Sequence, residues 1–213
     1  MKFIATLLIL FTTLLSCAQQ SKQYSVSTAA SKKTAVRESV AYFAEGCFWH
    51  AEIIFQSLAG VRDAVSGYAG GTTKNPGYED VASGQTGHAE TVQVLYDSNK
   101  ISFATLVDAF FASHDPTTLN RQGNDRGTEY RSMVFYSNEK EKEIINSAIS
   151  KIANTKKYQN KIVTQVVPVN LFFKAEEYHQ EYISNNPSNG YVQNVSLPEY
   201  YAFRKNFKGN FKP

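Results

Sequence analysis

The chain has 213 residues, 42% of them apolar and 19% charged, which is enough for one domain with a substantial core. Its 22 basic and 19 acidic residues leave a net charge of +3, too weak a balance for a nucleic-acid-binding protein. The cysteines, Cys17 and Cys47, and the histidines show no metal-ligand spacing, so no metal site is expected.

Lys2 and the apolar run Phe3 to Leu15, with small Ser16 just before Cys17, have the layout of a secretory signal too short to span a membrane. Leu14-Leu15-Ser16-Cys17 resembles a bacterial lipobox. Residues 1–17 are therefore expected to be a lipoprotein signal peptide whose Cys17 becomes the lipidated end of an exported, membrane-anchored, cell-envelope protein. Residues 18–37 are polar, without glycine, proline or apolar period, and are expected to form a flexible tether. Residues 38–213 form the single domain. If Cys17 is acylated, Cys47 is the one thiol left and no intramolecular disulfide forms.

The domain reads as mixed elements. A strand over Val40–Ala44 feeds a helix from Phe48 to about Leu58, which Gly60 ends. A strand over Val61–Ser66 enters a glycine-rich loop, and Thr91–Tyr96 alternates as a strand with Val92, Val94 and Tyr96 on one face. Phe103, Leu106, Val107, Phe110 and Phe111 mark an amphipathic helix, Tyr130–Tyr136 a strand, and Ile144 to Ile152 a second amphipathic helix with an acidic start. Ile162–Val169 reads as a strand, Glu176–Ile183 as a short helix, and Arg204–Lys212 as a solvated basic end. This order predicts an α+β fold, a two-layer sandwich with a split β-α-β (ferredoxin-like) core.

The chemistry centres on Glu45-Gly46-Cys47-Phe48-Trp49-His50. A cysteine where a strand turns into a helix meets unpaired N–H groups and the positive end of the helix dipole, which favour thiolate. Phe48 and Trp49 cannot both enter the core, so at least one should line the space before the sulfur. His50 is expected to face solvent. Glycines 67, 70, 71, 77, 84 and 87 need close backbone approach or positive φ. No phosphate-loop lysine follows them, so a loop folded over a neighbouring site fits better. That loop carries Tyr68 and delivers His88-Ala89-Glu90 to a strand entrance. A polar segment, His114–Ser132, is longer than ordinary connections and is expected to be ordered, with Asp125 and Tyr130 bordering the site.

Gly46-Cys47-Phe48-Trp49, Gly67-Tyr68-Ala69-Gly70-Gly71, Gly87-His88-Ala89-Glu90 and the run His114–Ser132 together resemble the A-type peptide methionine sulfoxide reductases, over about Ala41 to Tyr201. The resemblance implies reduction of methionine S-sulfoxide, free or in proteins, without metal or bound cofactor. It implies Cys47 as nucleophile, Phe48 and Trp49 as the wall receiving the methyl group, and Glu90 as the acid protonating the sulfoxide oxygen. Tyr68 and Tyr130 would assist Glu90, and Asp125 would order the substrate-side hydrogen bonds. Position 50 is commonly glycine in that family, and recycling cysteines common near its C-terminus do not occur in Leu197–Pro213. A sulfenic acid on Cys47 is thus expected to be reduced by an external thiol, a thioredoxin-like protein or a small thiol. Oxidised exported proteins are the expected substrates, and a monomer the expected form. Two other readings stand beside this one: a cysteine hydrolase pairing Cys47 with a histidine, and a non-enzymatic surface-binding lipoprotein.

Overall fold

The computed structural model describes residues 37–213, so the expected signal peptide, Cys17 and almost all of the tether lie outside the described residues. The first strand, β1 (Glu38–Glu45), alternates between two environments. Ala41 and Phe43 join the main core, while Tyr42 and Ala44 belong to a smaller apolar cluster with Met133 and Phe135. Gly46 then turns the chain with φ of +100°, where a Cβ would collide with the Gln122 side chain, and α1 (Phe48–Gln56) begins immediately.

The next elements are β2 (Val61–Ala69), a short α2 (Tyr78–Ala82), β3 (Ala89–Asp97) and α3 (Phe103–Ser113). The α3 start is capped by Ser102, whose Oγ accepts the Thr105 N–H at 3.0 Å. A hairpin of β4 (Arg121–Gln122) and β5 (Asp125–Arg126) leads through a 3-10 turn, Thr128–Tyr130, to β6 (Ser132–Tyr136). Helix α4 (Glu139–Asn154) is capped by Asn138 and buries Ile145 and Ala148. Strands β7 (Gln165–Pro168) and β8 (Phe172–Lys174), then α5 (Tyr182–Asn185) and α6 (Leu197–Asn206), complete the order.

Six strands form one sheet in the order β7-β6-β1-β3-β2-β8. β3 runs antiparallel to both β1 and β2, β6 antiparallel to β1, and β7 parallel to β6. The main core lies on the side of α1 and α3, where Phe43 stacks on Phe55 with ring centroids 4.7 Å apart. Burying one aromatic side chain of this kind contributes about 2–3 kcal/mol. The fold is thus mixed, with helices packed on a largely antiparallel sheet.

The sequence expectations differ from the structure where long-range packing decides. Tyr130 lies in the 3-10 turn rather than a strand, and residues 176–183 form a 3-10 turn, Glu177–His179, and the start of α5 rather than one helix. The basic end is not simply solvated. α6 buries Phe203, Phe211 bridges to Leu58, and the Lys212 N–H donates to Ser57 O at 2.8 Å. The His114–Ser132 segment is ordered, as its internal hydrogen-bonding side chains predict. Thr117 N–H donates to Asp115 Oδ1 at 2.9 Å, and Thr118 Oγ1 to Arg121 O at 2.6 Å.

Candidate active site

Cys47 occupies the N-cap position of α1, its carbonyl accepting the His50 and Ala51 N–H groups. The next N–H, that of Phe48, has no helical partner and donates instead to Glu90 Oε2 at 2.9 Å. Glu90 reaches it because β3 places Glu90 on the same face as Val92, Val94 and Tyr96, turned toward α1. Glu90 is only 3% exposed. Burial above all pushes its carboxyl up to about 8, the Phe48 N–H pulling it back and the Asp125 and Glu129 charges adding to the rise. At neutral pH it is a neutral acid beside a thiol.

The expectation that the helix start favours thiolate does not hold for the resting site. The Trp49 and His50 N–H groups do stabilise sulfur charge, but burial and the neighbouring Glu90 outweigh them and hold the Cys47 thiol well above its ordinary value. The physical reason is chiefly that burial strips water from a sulfur charge, with the Glu90 carboxyl at the same helix end adding to the effect where it is ionised. Cys47 and Glu90 are therefore both protonated at rest.

Three hydroxyls surround this pair. Tyr78, at the start of α2, is raised to about 12 by burial and by the charges of Glu90 and Cys47. Tyr130 is raised further, by burial and then by Glu90, Tyr78, Cys47 and Asp125. The Tyr191 hydroxyl donates to Asp125 Oδ2 at 2.6 Å and is pushed up by burial and by Cys47. Arg131 ties the two loops that carry these groups, donating to Thr128 O at 2.7 Å and Gly87 O at 2.8 Å. His88 braces the glycine loop, accepting the Gly71 N–H at 3.1 Å, where any Cβ on Gly71 would strike the His88 backbone.

Tyr68 is differently engaged from what its motif suggested. It pairs across β2 and β3 with Glu90, but its hydroxyl donates to Glu176 Oε2 at 2.8 Å and the side chain is fully buried. The other Glu176 oxygen accepts the Tyr78 N–H at 2.9 Å. Tyr68 thus anchors the carboxylate that holds the backbone of Tyr78. Sequence reasoning passed over Tyr78, although Pro76-Gly77 followed by acidic Glu79-Asp80 is a helix-start signature. No local signal in the sequence links Tyr191 to Asp125, 66 residues away.

Of the two aromatics after Cys47, Phe48 is buried against Tyr68 and His179, with ring centroids 5.9 and 4.9 Å away. Trp49 is only part-buried. Its indole N–H donates to His179 Nδ1 at 3.1 Å, and its face stacks on Tyr182 at 3.7 Å and 6°. His179 thus holds the site's aromatics in place.

His50 faces away from solvent rather than into it. It is 5% exposed, neither ring nitrogen has a hydrogen-bond partner, and burial lowers it to about 4. Its Nδ1 lies 3.8 Å from Glu199 Oε2, beyond hydrogen-bond reach. Tyr191 from beyond α5 and Glu199 from α6 sit where sequence-distant elements close over the start of α1. Among the described residues no cluster of three metal-ligating side chains occurs. The arrangement is that of a protonated thiol and a neutral carboxylic acid with tyrosine hydroxyls around them.

A family model described as peptide methionine sulfoxide reductase matches residues 39–211. Peptide methionine sulfoxide reductase MsrA 1 of Rhodopirellula baltica is 46% identical over 180 residues, 84% of this chain and 93% of its own. The MsrA of Trichodesmium erythraeum is 48% identical over 162 residues, 76% of this chain and 92% of its own. Among solved structures, Mxr1 of Saccharomyces cerevisiae in reduced form aligns with a TM-score of 0.66 at 36% identity, covering 74% of this chain and 91% of its own. Methionine sulfoxide reductase A of Corynebacterium diphtheriae gives the same TM-score at 33% identity, covering 73% of this chain and 78% of its own.

Proposed function

Because this chain belongs to the peptide methionine sulfoxide reductase family and reduces methionine sulfoxide to methionine, we propose that Cys47 and Glu90 carry out that reduction as a proton-exchanging pair. The observation that carries the reading is the Glu90 carboxyl, buried, neutral and bonded to the N–H next to Cys47. The sulfoxide oxygen leaves poorly unless protonated as charge develops on it. Glu90 gives its proton to that oxygen while the Cys47 sulfur attacks, and the thiol proton passes back to Glu90. The S–O bond to substrate breaks, Cys47 becomes a sulfenic acid, and methionine departs. Tyr78 and Tyr130 hold the oxygen, in place of the Tyr68 and Tyr130 pair, and Tyr68 serves by fixing Glu176. Trp49, backed by buried Phe48, receives the methyl group, and Asp125 with Tyr191 orders the substrate-side hydrogen bonds.

The S epimer is the substrate of this reading, free or in proteins. No metal or bound cofactor enters it. Cys47 is the only cysteine among residues 38–213, which supports reduction of the sulfenic acid by an external thiol, a thioredoxin-like protein or a small thiol. The lipobox-like Leu14-Leu15-Ser16-Cys17 supports an exported, lipid-anchored protein, with residues 1–17 as signal, 18–37 as tether and 38–213 as a monomeric repair domain acting on oxidised envelope proteins. The strand order β6-β1-β3-β2, with β3 between β1 and β2, supports reading the central sheet as a split β-α-β, ferredoxin-like core.

The test is a single-turnover reaction of the purified full chain with each epimer of blocked methionine sulfoxide, without reductant, followed by sulfenic-acid trapping. About one equivalent of methionine per protein from the S epimer alone, with Cys47 trapped, is the expected result. Release from the R epimer, or a Cys47 still reduced after turnover, would refute the assignment.

A further inference from the structure

The wall residue Trp49 does not hold itself in place, and the residues that hold it are themselves held from α1. The indole N–H goes to His179 and its face to Tyr182, both on the segment 176–182 that crosses over α1. Between them the chain passes Glu181 in a left-handed conformation, φ 51° and ψ 31°, which a residue with a side chain adopts only when its surroundings impose it.

Glu52 bonds the backbone at this turn. Its Oε1 accepts the Glu181 N–H at 2.6 Å and the Gln56 amide at 3.1 Å, and its Oε2 is bonded by the Ser66 hydroxyl. Beside it, Gln180 and Ser66 exchange hydrogen bonds, Gln180 Nε2 donating to Ser66 O and Ser66 N–H to Gln180 Oε1, each at 3.1 Å. Glu52 is buried, and its hydrogen-bond partners are neutral donors. A carboxyl so placed, with Glu181 and Asp63 as its charged neighbours, is costly as packing and useful only for the geometry it fixes. It also lies three residues beyond Trp49 on α1, so both side chains project from adjacent turns of the same helix.

We propose that Glu52, through Ser66 and the Glu181 backbone, is a positioning residue that sets the Trp49 indole face against which the substrate methyl group docks. The proposal rests on the reading of Trp49 as the substrate wall. Glu52 touches neither sulfur nor sulfoxide, so its loss weakens substrate docking more than the chemical step. A glutamine can replace it. The amide oxygen would still accept from Glu181 and Gln56, and the amide N–H would donate to Ser66.

Trp49 is the only tryptophan in the chain, so its emission reports the indole directly. In the full chain, Glu52→Ala is expected to shift Trp49 emission to the red and raise its acrylamide quenching. In single turnover the half-saturating sulfoxide concentration rises by roughly tenfold while the limiting rate stays within about twofold. Glu52→Gln is expected to match wild type in all four readouts. Ser66→Ala, the variant to use if Glu52→Ala does not fold, should move emission and half-saturation the same way by roughly threefold. Unchanged Trp49 emission in a folded Glu52→Ala or Ser66→Ala protein overturns the clamp. Trp49→Ala separates that failure from failure of the wall: if it leaves half-saturation unchanged, the wall reading is wrong, whereas a rise there without one in Glu52→Ala refutes Glu52 alone.

Discussion

Two buried carboxyls flank Cys47, and only one of them is placed to do chemistry. Glu45, two residues before it at the end of β1, is 1% exposed and is pushed well up, by burial above all. Glu90 is as deeply buried and also pushed up. Their surroundings differ. Glu45 Oε2 accepts the Ser113 hydroxyl at 2.7 Å and lies 3.7 Å from His114 Nδ1, while its Oε1 has no partner. Glu90 bonds the N–H beside Cys47 and shares its space with the Tyr78 and Tyr130 hydroxyls. Burial makes a carboxylic acid neutral at pH 7, but only a reacting partner within reach makes it an acid catalyst.

Removing the proton from each breaks or sharpens that contrast most directly. Glu90→Gln keeps the shape and the Phe48 contact but cannot donate a proton and recover one. Its single-turnover rate should fall by roughly 10²–10³-fold. Glu45→Gln should leave that rate within about threefold, because its effect is on packing and hydrogen bonding behind the site. Equal losses in the two variants would show that buried carboxyls act here through structure alone.

Burial of carboxyls and imidazoles also predicts a shape for stability against pH. Glu90 at about 8 and Glu52 at about 7 have folded values raised above the ordinary carboxylate range. Their contribution is present in full below the unfolded value and is lost as pH rises toward 8. His50 and His114, both lowered to about 4, act in the opposite sense and lose stability as pH falls from 6.5 toward 4. Denaturant midpoints should therefore decline between pH 6.5 and 8. Glu90→Gln should reduce that alkaline decline by about 2 kcal/mol between pH 6.5 and 8. A decline that persists unchanged in the variant would assign it to other groups.

A smaller effect separates the tyrosines. Tyr78→Phe should slow single turnover by roughly tenfold, the scale of one hydrogen bond to a developing charge. Tyr68→Phe should slow it by about threefold or less and appear chiefly as lost stability, about 1 kcal/mol, because it leaves Glu176 short of a donor. The reverse order would restore Tyr68 as the group facing the oxygen.

That pair also marks where sequence reading ends. β1, α1, β3, α3 and α4 were legible because each is a local pattern: period two in Val92, Val94 and Tyr96, period 3.6 in Phe103 to Phe111, and an acidic start before the apolar spacing of Ile144 to Ile152. Cys47 and Glu90 were legible as motif residues. That Glu90 takes the first free N–H of α1 was not, since the pair is 42 residues apart. Tyr68 and Glu176 are 108 residues apart, and Trp49 and His179 are 130 apart. Periodicity cannot report contacts of that separation, so Arg204–Lys212 reads as a solvated end and Glu176–Ile183 as a plain helix. The thiolate expectation failed for a related reason: the dipole was visible in the sequence, but the burial of the sulfur, and the carboxyl beside it, were not.

His50 gives the smallest expected effect and the sharpest check on which side of α1 matters. It is the residue nearest in sequence to Cys47 that is able to carry positive charge, and as a cation it would favour thiolate. Yet burial holds it neutral above about pH 4, and the carboxylate closest to it, Glu199, is too far to accept its proton in a hydrogen bond. It belongs with Glu45 and His114, whose own shift includes the His50 charge, on the side without sulfur chemistry. The Cys47 thiol pKa, read from the pH dependence of alkylation, should therefore change by no more than about 0.3 in His50→Gln. A change of a full unit would place His50 electrostatically within the Cys47–Glu90 pair and make the two faces of α1 one site.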